Sequence, residues 1–303
     1  MKTVAQLVRE ASADLSGCSD TPRLDAELLA MFAFSLSRTE LISKGHQIPR
    51  EEANRSLRGY VARRKRGEPL AYITGRREFW GLNFYLTPDV LIPRPETELL
   101  VEGGLSLCHE LWGERKSRLC LLDLGTGSGC IAAALAHGLK SNGVMFNLLA
   151  VDNSARALEV ARRNIACLGL SGDISVLQSD WFSALADKRG LFDLILSNPP
   201  YLAAGVESNC LGLSYEPPDA LYSGASGLDA ITSIIKTAPY YLRPGGRLFI
   251  EIGSSQAAAI TKLLPQLWPP CSYPHTSLLI RKDLAGLDRL VVIGGIMCGS
   301  SLP

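Results

Sequence analysis

The sequence has no excess of charge: its 303 residues hold 31 Lys and Arg against 30 Asp and Glu, for a net charge of +1 and a pI near 7.6. That balance argues against a chain whose main task is gripping phosphate backbones, although it leaves room for a local basic patch. No apolar run reaches the length of a membrane span. The opening segment MKTVAQLVREASADLSG carries charges throughout and lacks the unbroken apolar stretch of a secretory signal, so a cytoplasmic protein with no membrane contact is expected. None of the eight cysteines pairs as C-x-x-C, and several sit inside apolar runs such as LCLLDLG and CIAAALA. They read as small core residues in a reducing compartment rather than as disulfides. The four histidines form no H-E-x-x-H or similar cluster, and no metal site is expected. Internal repeats and long low-complexity tracts are absent too.

What is present is an ordinary globular composition, 47% hydrophobic and 20% charged. Residues 1–66 carry helical patterns. Val4, Leu7, Val8, Ala11 and Leu15 follow one face. TPRLDAELLAMFAF offers Thr21 as a cap with Pro22 at the first helical position, where a missing N–H costs nothing, and Pro49 repeats the device before EEANRSLRGYVARRKR. The run Arg63-Arg64-Lys65-Arg66 is read as cations complementing a helix C-terminus rather than as an RNA contact. From Pro69 to Glu98, aromatic and β-branched residues alternate around Gly75 and Gly81 as in a hairpin, and prolines then stiffen the exit. The expected organisation is a helical domain at 1–76, a hairpin linker at 77–98, and an α/β domain at 99–303.

After residue 117, apolar strands alternate with helices: LCLLDLG, FNLLAVD, ISVLQSD, FDLILSN and RLFIEIG. Near-continuous apolar strands separated by helices make a parallel sheet covered on both faces. SLLIRKD and DRLVVIG, joined across LAGL, read as a closing antiparallel hairpin, and the tail GGIMCGSSLP is expected to fray.

The chemistry gathers where these strands end. The first runs into Asp123-Leu124-Gly125-Thr126-Gly127-Ser128-Gly129, whose glycines let the backbone turn tightly and approach a ligand. The second ends in Asp152, placed to accept both ribose hydroxyls of an adenosine moiety. Nicotinamide enzymes use G-x-G-x-x-G against a pyrophosphate. Here the spacing is G-x-G-x-G, and an acid precedes the turn. A carboxylate at Asp123 would repel a pyrophosphate and suits the ammonium end of S-adenosylmethionine. The third strand ends in Asp180-Trp181, an acceptor for the adenine amine and an indole to cover the base. The fold class is thus a Rossmann-like, S-adenosylmethionine-dependent methyltransferase sheet.

The fourth strand stops at Asn198-Pro199-Pro200-Tyr201. An amide nitrogen or exocyclic amine is a poor nucleophile because its lone pair is delocalised. The side-chain oxygen of Asn198 and the carbonyl of Pro199 can accept both of its N–H hydrogens and turn the lone pair toward a methyl group. Pro200 stiffens this substrate-holding segment, and Tyr201 can stack on a planar target.

With these residues assembled, the chain resembles the release-factor glutamine methyltransferases. The resemblance runs from about residue 20 to about residue 293 and rests on RLDAELL, RGEPLAYITGRREFWGL, VLIPRPETELLV, DLGTGSGCIAAALA, AVDNSARALEVARRN, SDWF, SNPPY, YEPPDALYSGASGLD, LRPGGRLFIEIG and AGLDRLVV. NPPY alone is shared with nucleic-acid amine methyltransferases; the IPRPETE linker and the YEPPDALYSGASGLD insertion narrow the match. It implies methyl transfer from S-adenosylmethionine to the side-chain amide nitrogen of the glutamine in the Gly-Gly-Gln loop of peptide-chain release factors. It places the cofactor loop on Gly125 to Gly129, the ribose acid on Asp152, the adenine-side aromatic on Trp181, and the substrate-holding segment on Asn198 to Tyr201. The N-terminal helices would help grip the release factor; a monomer with no direct nucleic-acid contact is expected. The alternatives are a nucleic-acid exocyclic-amine N-methyltransferase, a non-catalytic module that keeps the fold, and a nicotinamide reductase.

Overall fold

The computed structural model describes residues 2–205, 212–268 and 276–295. It divides into two compact units, Met1–Arg76 with Ser208–Tyr215, and Arg77–Glu207 with Glu216–Pro303.

The first unit is helical: α1 (Val4–Leu15), α2 (Pro22–Phe34), α3 (Arg38–Ser43), α4 (Glu51–Lys65) and α5 (Leu70–Thr74). A capping box starts α1, with Thr3 Oγ1 accepting from the Gln6 N–H and Gln6 Oε1 accepting from the Thr3 N–H. Val4, Leu7, Ala11 and Leu15 pack with Ala26, Leu29, Ala30, Leu57 and Val61 in one apolar cluster. Pro22 opens α2 as expected, but the Thr21 hydroxyl leaves the backbone uncapped and donates to Asp25 Oδ1 instead. Pro49 is not at a helix start: α4 begins at Glu51 with Arg50 in the capping position. Of the basic run ending α4, Arg63 binds Glu68, and Arg64 Nε donates to the buried Asp25 at 2.8 Å.

The hairpin is shorter than the alternating pattern implies. Residues 70–74 form α5, which Gly75 closes in the left-handed region. The strands are β1 (Arg76–Phe79) and β2 (Leu82–Tyr85). Trp80 and Gly81 turn between them with φ of +54° and +72°, the mirror-image turn that matches strand twist.

Then come α6 (Glu98–Arg115), β3 (Leu119–Leu124), α7 (Cys130–Ser141), β4 (Phe146–Asp152), α8 (Ala155–Cys167), β5 (Ile174–Gln178), β6 (Phe192–Ser197), α9 (Asp229–Thr237), β7 (Leu242–Glu251), α10 (Ala257–Leu267), β8 (Thr276–Lys282) and β9 (Asp288–Gly295). The sheet order is β5-β4-β3-β6-β7-β9-β8. The first five are parallel, and β9 runs antiparallel between β7 and β8, the closing hairpin read from the sequence. Gly294 belongs to β9 and packs on Arg247; the tail beyond Gly295, with Cys298, lies outside the described residues, as do Cys210 and Cys271. The other five cysteines are free thiols, and burial pushes those of Cys108 and Cys130 up to about 12.

Side-chain alternation along β6 sends Leu194 and Leu196 to α6, where Gly104 lets the helix come close, and Ile195 to the cluster built with Ile231, Ile234 and Ile260 of α9 and α10. Strand order reverses between β3 and β6. Open parallel sheets bind ligands outside the carboxyl ends of their strands at such a reversal. Among the described residues, no helix is long and apolar enough to cross a membrane, and no group of three or more His, Cys, Asp or Glu is placed to hold a metal ion.

Candidate active site

A cleft of about 180 Å³ opens at that reversal. A single water needs about 10–15 Å³ of such space, so the cleft suits a small molecule rather than a few solvent molecules.

The loop after β3 forms one wall. Gly125, Gly127 and Gly129 all have positive φ. The N–H groups of Gly125 and Thr126 both donate to the Val151 carbonyl at 2.9 Å, tying the loop to β4. Gly125, Thr126, Gly127 and Ser128 line the cleft; Gly129 does not. A Cβ on Gly129 would stand 3.3 Å from the backbone of Ala161, so this glycine serves the approach of α7 to α8. Asp123 departs further from expectation. It is fully buried and absent from the cleft lining. Its Oδ2 accepts from the Thr126 hydroxyl at 2.6 Å, and Oδ1 has no partner among the described residues. Burial, opposed by that hydrogen bond, pushes its carboxyl up to about 7.

Asp152 ends β4 and lines the cleft. Oδ2 accepts from the Gly127 N–H and Oδ1 from the Ser154 N–H, each at 2.9 Å, and burial raises its pKa against those bonds. Each carboxylate oxygen keeps a second lone pair. Asp180 and Trp181 line the same side. Trp181 is held at φ +47°, an uncommon conformation for an aromatic residue, and its carbonyl accepts from the Ser179 hydroxyl at 2.8 Å. A Cβ on Gly125 would be 3.5 Å from the indole, so the ring lies against the glycine turn.

The loop is braced from below by one carboxamide that the sequence reading missed. Asn164 of α8 is buried, takes the Tyr85 N–H on Oδ1 at 2.8 Å, and donates from Nδ2 to the carbonyls of Tyr85 and Ser128.

The wall after β6 carries the amide. The Ser197 hydroxyl donates to the Leu124 carbonyl at 2.8 Å, joining β6 to β3 just below the site. Asn198 and Pro200 line the cleft, while Pro199 is buried and Tyr201 packs against the apolar cluster of the sheet. The Tyr201 hydroxyl is pushed up to about 12, by burial and then by the Glu251 carboxyl. Asn198 Nδ2 donates to Thr97 Oγ1 at 3.1 Å, and Asn198 Oδ1 is buried without a partner among the described residues. A buried acceptor left open costs about 1–3 kcal/mol, which a ligand that supplies an N–H would recover.

Two segments frame this amide. Asp89, Val90, Leu91, Pro93 and Thr97 from one side, and Pro217, Asp219 and Ala220 from the other, line the cleft. The Glu216 carboxylate joins them, accepting from the Arg94 guanidinium and from the Ile92 N–H. Gln256, at the start of α10, ties the insertion to Tyr201. Gln256 Nε2 donates to the carbonyls of Tyr201 and Gly227, and its Oε1 takes the Gly253 N–H. Gly227 has φ +74°, and a Cβ there would fall 2.3 Å from the Tyr201 carbonyl oxygen.

The N-terminal residues 6–75 match the PrmC N-terminal domain, and residues 104–212 match the methyltransferase small domain. The release factor glutamine methyltransferase of Burkholderia pseudomallei is 40% identical over 283 residues, covering 92% of this chain and 94% of the relative. The chain belongs to the release factor glutamine methyltransferase family. The relative of the same name from Bordetella pertussis is 42% identical over 279 residues, covering 91% of this chain and 96% of its own. That from Coxiella burnetii is 37% identical over 292 residues, covering 96% and 99%. Among solved structures, the hMettl16 catalytic domain in complex with MAT2A 3'UTR hairpin 6 superposes with a TM-score of 0.56 at 20% identity, over 80% of this chain and 84% of that one. That likeness is one of fold, and it agrees with the methyltransferase sheet.

Proposed function

We propose that this chain transfers a methyl group from S-adenosylmethionine to the side-chain amide nitrogen of the glutamine in the Gly-Gly-Gln loop of peptide-chain release factors, in the cytoplasm and as a monomer. The names of its relatives supply the substrate class, and the open acceptor of Asn198 is the observation that carries the chemistry.

The cleft residues fit the cofactor. Gly125 to Ser128 present backbone with little side-chain obstruction, Asp152 keeps lone pairs for two ribose hydroxyls, Asp180 offers an acceptor to the adenine amine, and Trp181 offers an aromatic face. When bound, S-adenosylmethionine supplies an electrophilic methyl group. The protein's own contribution is at the other reactant. Asn198 Oδ1 and the Pro199 carbonyl accept the two N–H hydrogens of the target amide, fix its plane, and direct its lone pair. Pro199, buried with no N–H of its own, holds that carbonyl in a stiff turn. Tyr201 and Pro200 support the segment. Residues 1–76 form the part that recognises the release factor, residues 77–98 link it to the methyltransferase domain at 99–303, and no nucleic acid is contacted.

The test is single-turnover transfer to a release factor, with cofactor affinity measured in parallel. Asn198→Ala lowers the rate about a hundredfold while leaving cofactor affinity nearly unchanged, in the range for losing one positioned polar group. Asn198→Asp is slow as well, because its charge stabilises the cationic ground state more than a transition state in which that charge disperses. An Asn198→Ala protein at wild-type rate returns the segment to being a strand stop. Transfer to unpaired nucleic acid, with none to the factor, favours the nucleic-acid reading.

A further inference from the structure

Asn198, Pro199 and Pro200 lie between two anchors. On one side Ser197 still belongs to the sheet, paired with Leu124 of β3 and Ile250 of β7. Between the anchors the two prolines have no N–H, so the chain cannot hold itself there by donating. The Pro199 carbonyl, reserved for the target amide, does not serve as a tie either. On the far side the backbone is fixed again at once. The Tyr201 carbonyl accepts from Gln256 Nε2 at 3.0 Å, and the Leu202 N–H donates to the Leu221 carbonyl at 2.9 Å. The Leu202 carbonyl takes the Ser223 N–H and the Ala204 N–H donates to the Gly224 carbonyl, each at 2.8 Å.

The first of these ties comes from a side chain. Gln256 is 8% exposed, and its carboxamide is fully engaged. Nε2 has two hydrogens and two acceptors, the carbonyls of Tyr201 at 3.0 Å and Gly227 at 3.1 Å, while Oε1 takes the Gly253 N–H at 2.9 Å. All three partners are backbone groups of fixed polarity. Turned over, the amide would set oxygen against two oxygens and N–H against N–H, so its orientation is determined by its partners. Glycine lets the three segments close around it. A Cβ on Gly227 would fall 2.3 Å from the Tyr201 oxygen, and one on Gly253 would stand 3.2 Å from Gln256 Oε1 and 3.5 Å from Tyr201 Cδ2.

We propose that Gln256 is a positioning residue for methyl transfer, which fixes the chain just beyond Asn198 and Pro199 and locks the insertion after β6 against it. This rests on the reading of Asn198 Oδ1 and the Pro199 carbonyl as acceptors for the target amide. A misplacement of about 1 Å between reacting groups costs about a hundredfold in rate. The Tyr201 carbonyl is the first fixed point after two residues that cannot fix themselves.

Gln256 also sets the width of the site on the target's side. The insertion that it holds at Gly227 brings Pro217, Asp219 and Ala220 to the cleft. The cofactor wall is built on other strands: Gly125 to Ser128 follow β3, Asp152 ends β4, and Trp181 follows β5. The three hydrogen bonds of Gln256 reach none of these residues. Its loss therefore falls on the methyl acceptor and spares the cofactor.

The experiment compares Gln256→Glu, Gln256→Met, Gly227→Ala, the Gln256→Glu/Gly227→Ala double variant, Ala258→Gly and Asn198→Ala. Gln256→Glu keeps the length and the acceptor for Gly253 and, once ionised, loses both donors; Gln256→Met loses every polar atom. Calorimetry with S-adenosylhomocysteine measures cofactor affinity and counts intact sites. Transfer to a release factor is then expressed per intact site over a range of factor concentrations. Both Gln256 variants lower kcat about tenfold or more, while KM for the factor and cofactor affinity change by less than about threefold. The double variant is no slower than its slower parent, because both changes part the same two segments. Ala258→Gly, at an exposed position in the first turn of α10, weakens that helix and leaves kcat unchanged. A wild-type kcat in either Gln256 variant, a loss wholly in KM or in cofactor affinity, additive losses in the double variant, or an equal loss in Ala258→Gly overturns the proposal. Should one Gln256 variant fail to fold, the other decides. A slow Asn198→Ala beside a fast Gln256→Glu sinks the positioning role alone; a fast Asn198→Ala removes the acceptor reading beneath it.

Discussion

Arg94 and Glu216, 122 residues apart in sequence, meet as an ion pair beside the cleft, and the other carboxylate oxygen of Glu216 takes the Ile92 N–H at 3.0 Å. The Glu216 side chain is 2% exposed and that of Arg94 is 32% exposed. The pair thus joins the proline-rich segment to the insertion that follows β6.

Removing Arg94 strands a buried carboxylate, which is the costly way to break such a pair. Arg94→Met is expected to lower stability in denaturant unfolding by about 2–4 kcal/mol. Replacing both partners, as Arg94→Met with Glu216→Met, recovers part of that loss. Equal or greater loss in the double variant would show that the pair does not act as a unit.

Gly227→Ala tests the contact between the insertion and the strand end. The new Cβ meets the Tyr201 carbonyl oxygen at 2.3 Å with φ at +74°, so the two backbones must part. Transfer to a release factor falls by about tenfold or more, and stability by about 1–3 kcal/mol, while cofactor affinity holds. Gly143→Ala is the control. It has a similar φ of +68° but open space around it, so it carries the backbone strain without the loss of transfer.

Asp123 gives the fold a pH dependence. Its folded value of about 7 stands above the ordinary 3.8, so the folded chain keeps a proton that the unfolded chain has released. That contribution is full below about pH 3.8 and is lost as pH rises to about 7. Asp123→Asn keeps an acceptor for Thr126 and removes the ionisation. From pH 5 to 8 the wild type loses stability relative to this variant, by an amount on the order of 2–4 kcal/mol. Parallel denaturation curves whose separation stays constant across that range would rule Asp123 out as the cause.

The parts of the fold legible in the sequence are those with a local signature. Apolar strands such as DLILS, separated by helical periodicity, specify a parallel sheet because burial on both faces leaves no polar alternation. What escaped depends on which neighbour arrives. Gly129 carries the same turn signature as Gly127, but only the approach of Ala161 shows that it serves helix packing. Asp123 sits in the right motif, yet the Thr126 hydroxyl claims it beneath the loop. Thr97, Asn164 and Gln256 are unremarkable polar residues until chain segments far apart in sequence meet around them. Pro69 and the residues after it carry a strand pattern and yet form a helix, because aromatic and β-branched types suit both a hairpin and a short buried helix.

Asn164 has a consequence for how this protein can change. One carboxamide ties the hairpin at Tyr85 to the glycine turn at Ser128, so the two behave as a single mechanical piece. A substitution that moves the hairpin drags the turn with it, and the reverse holds equally. Drift in either segment is therefore accepted only in matched pairs. Loss of the amide at position 164 is a one-step route to letting them vary independently, at the cost of a turn no longer held to shape.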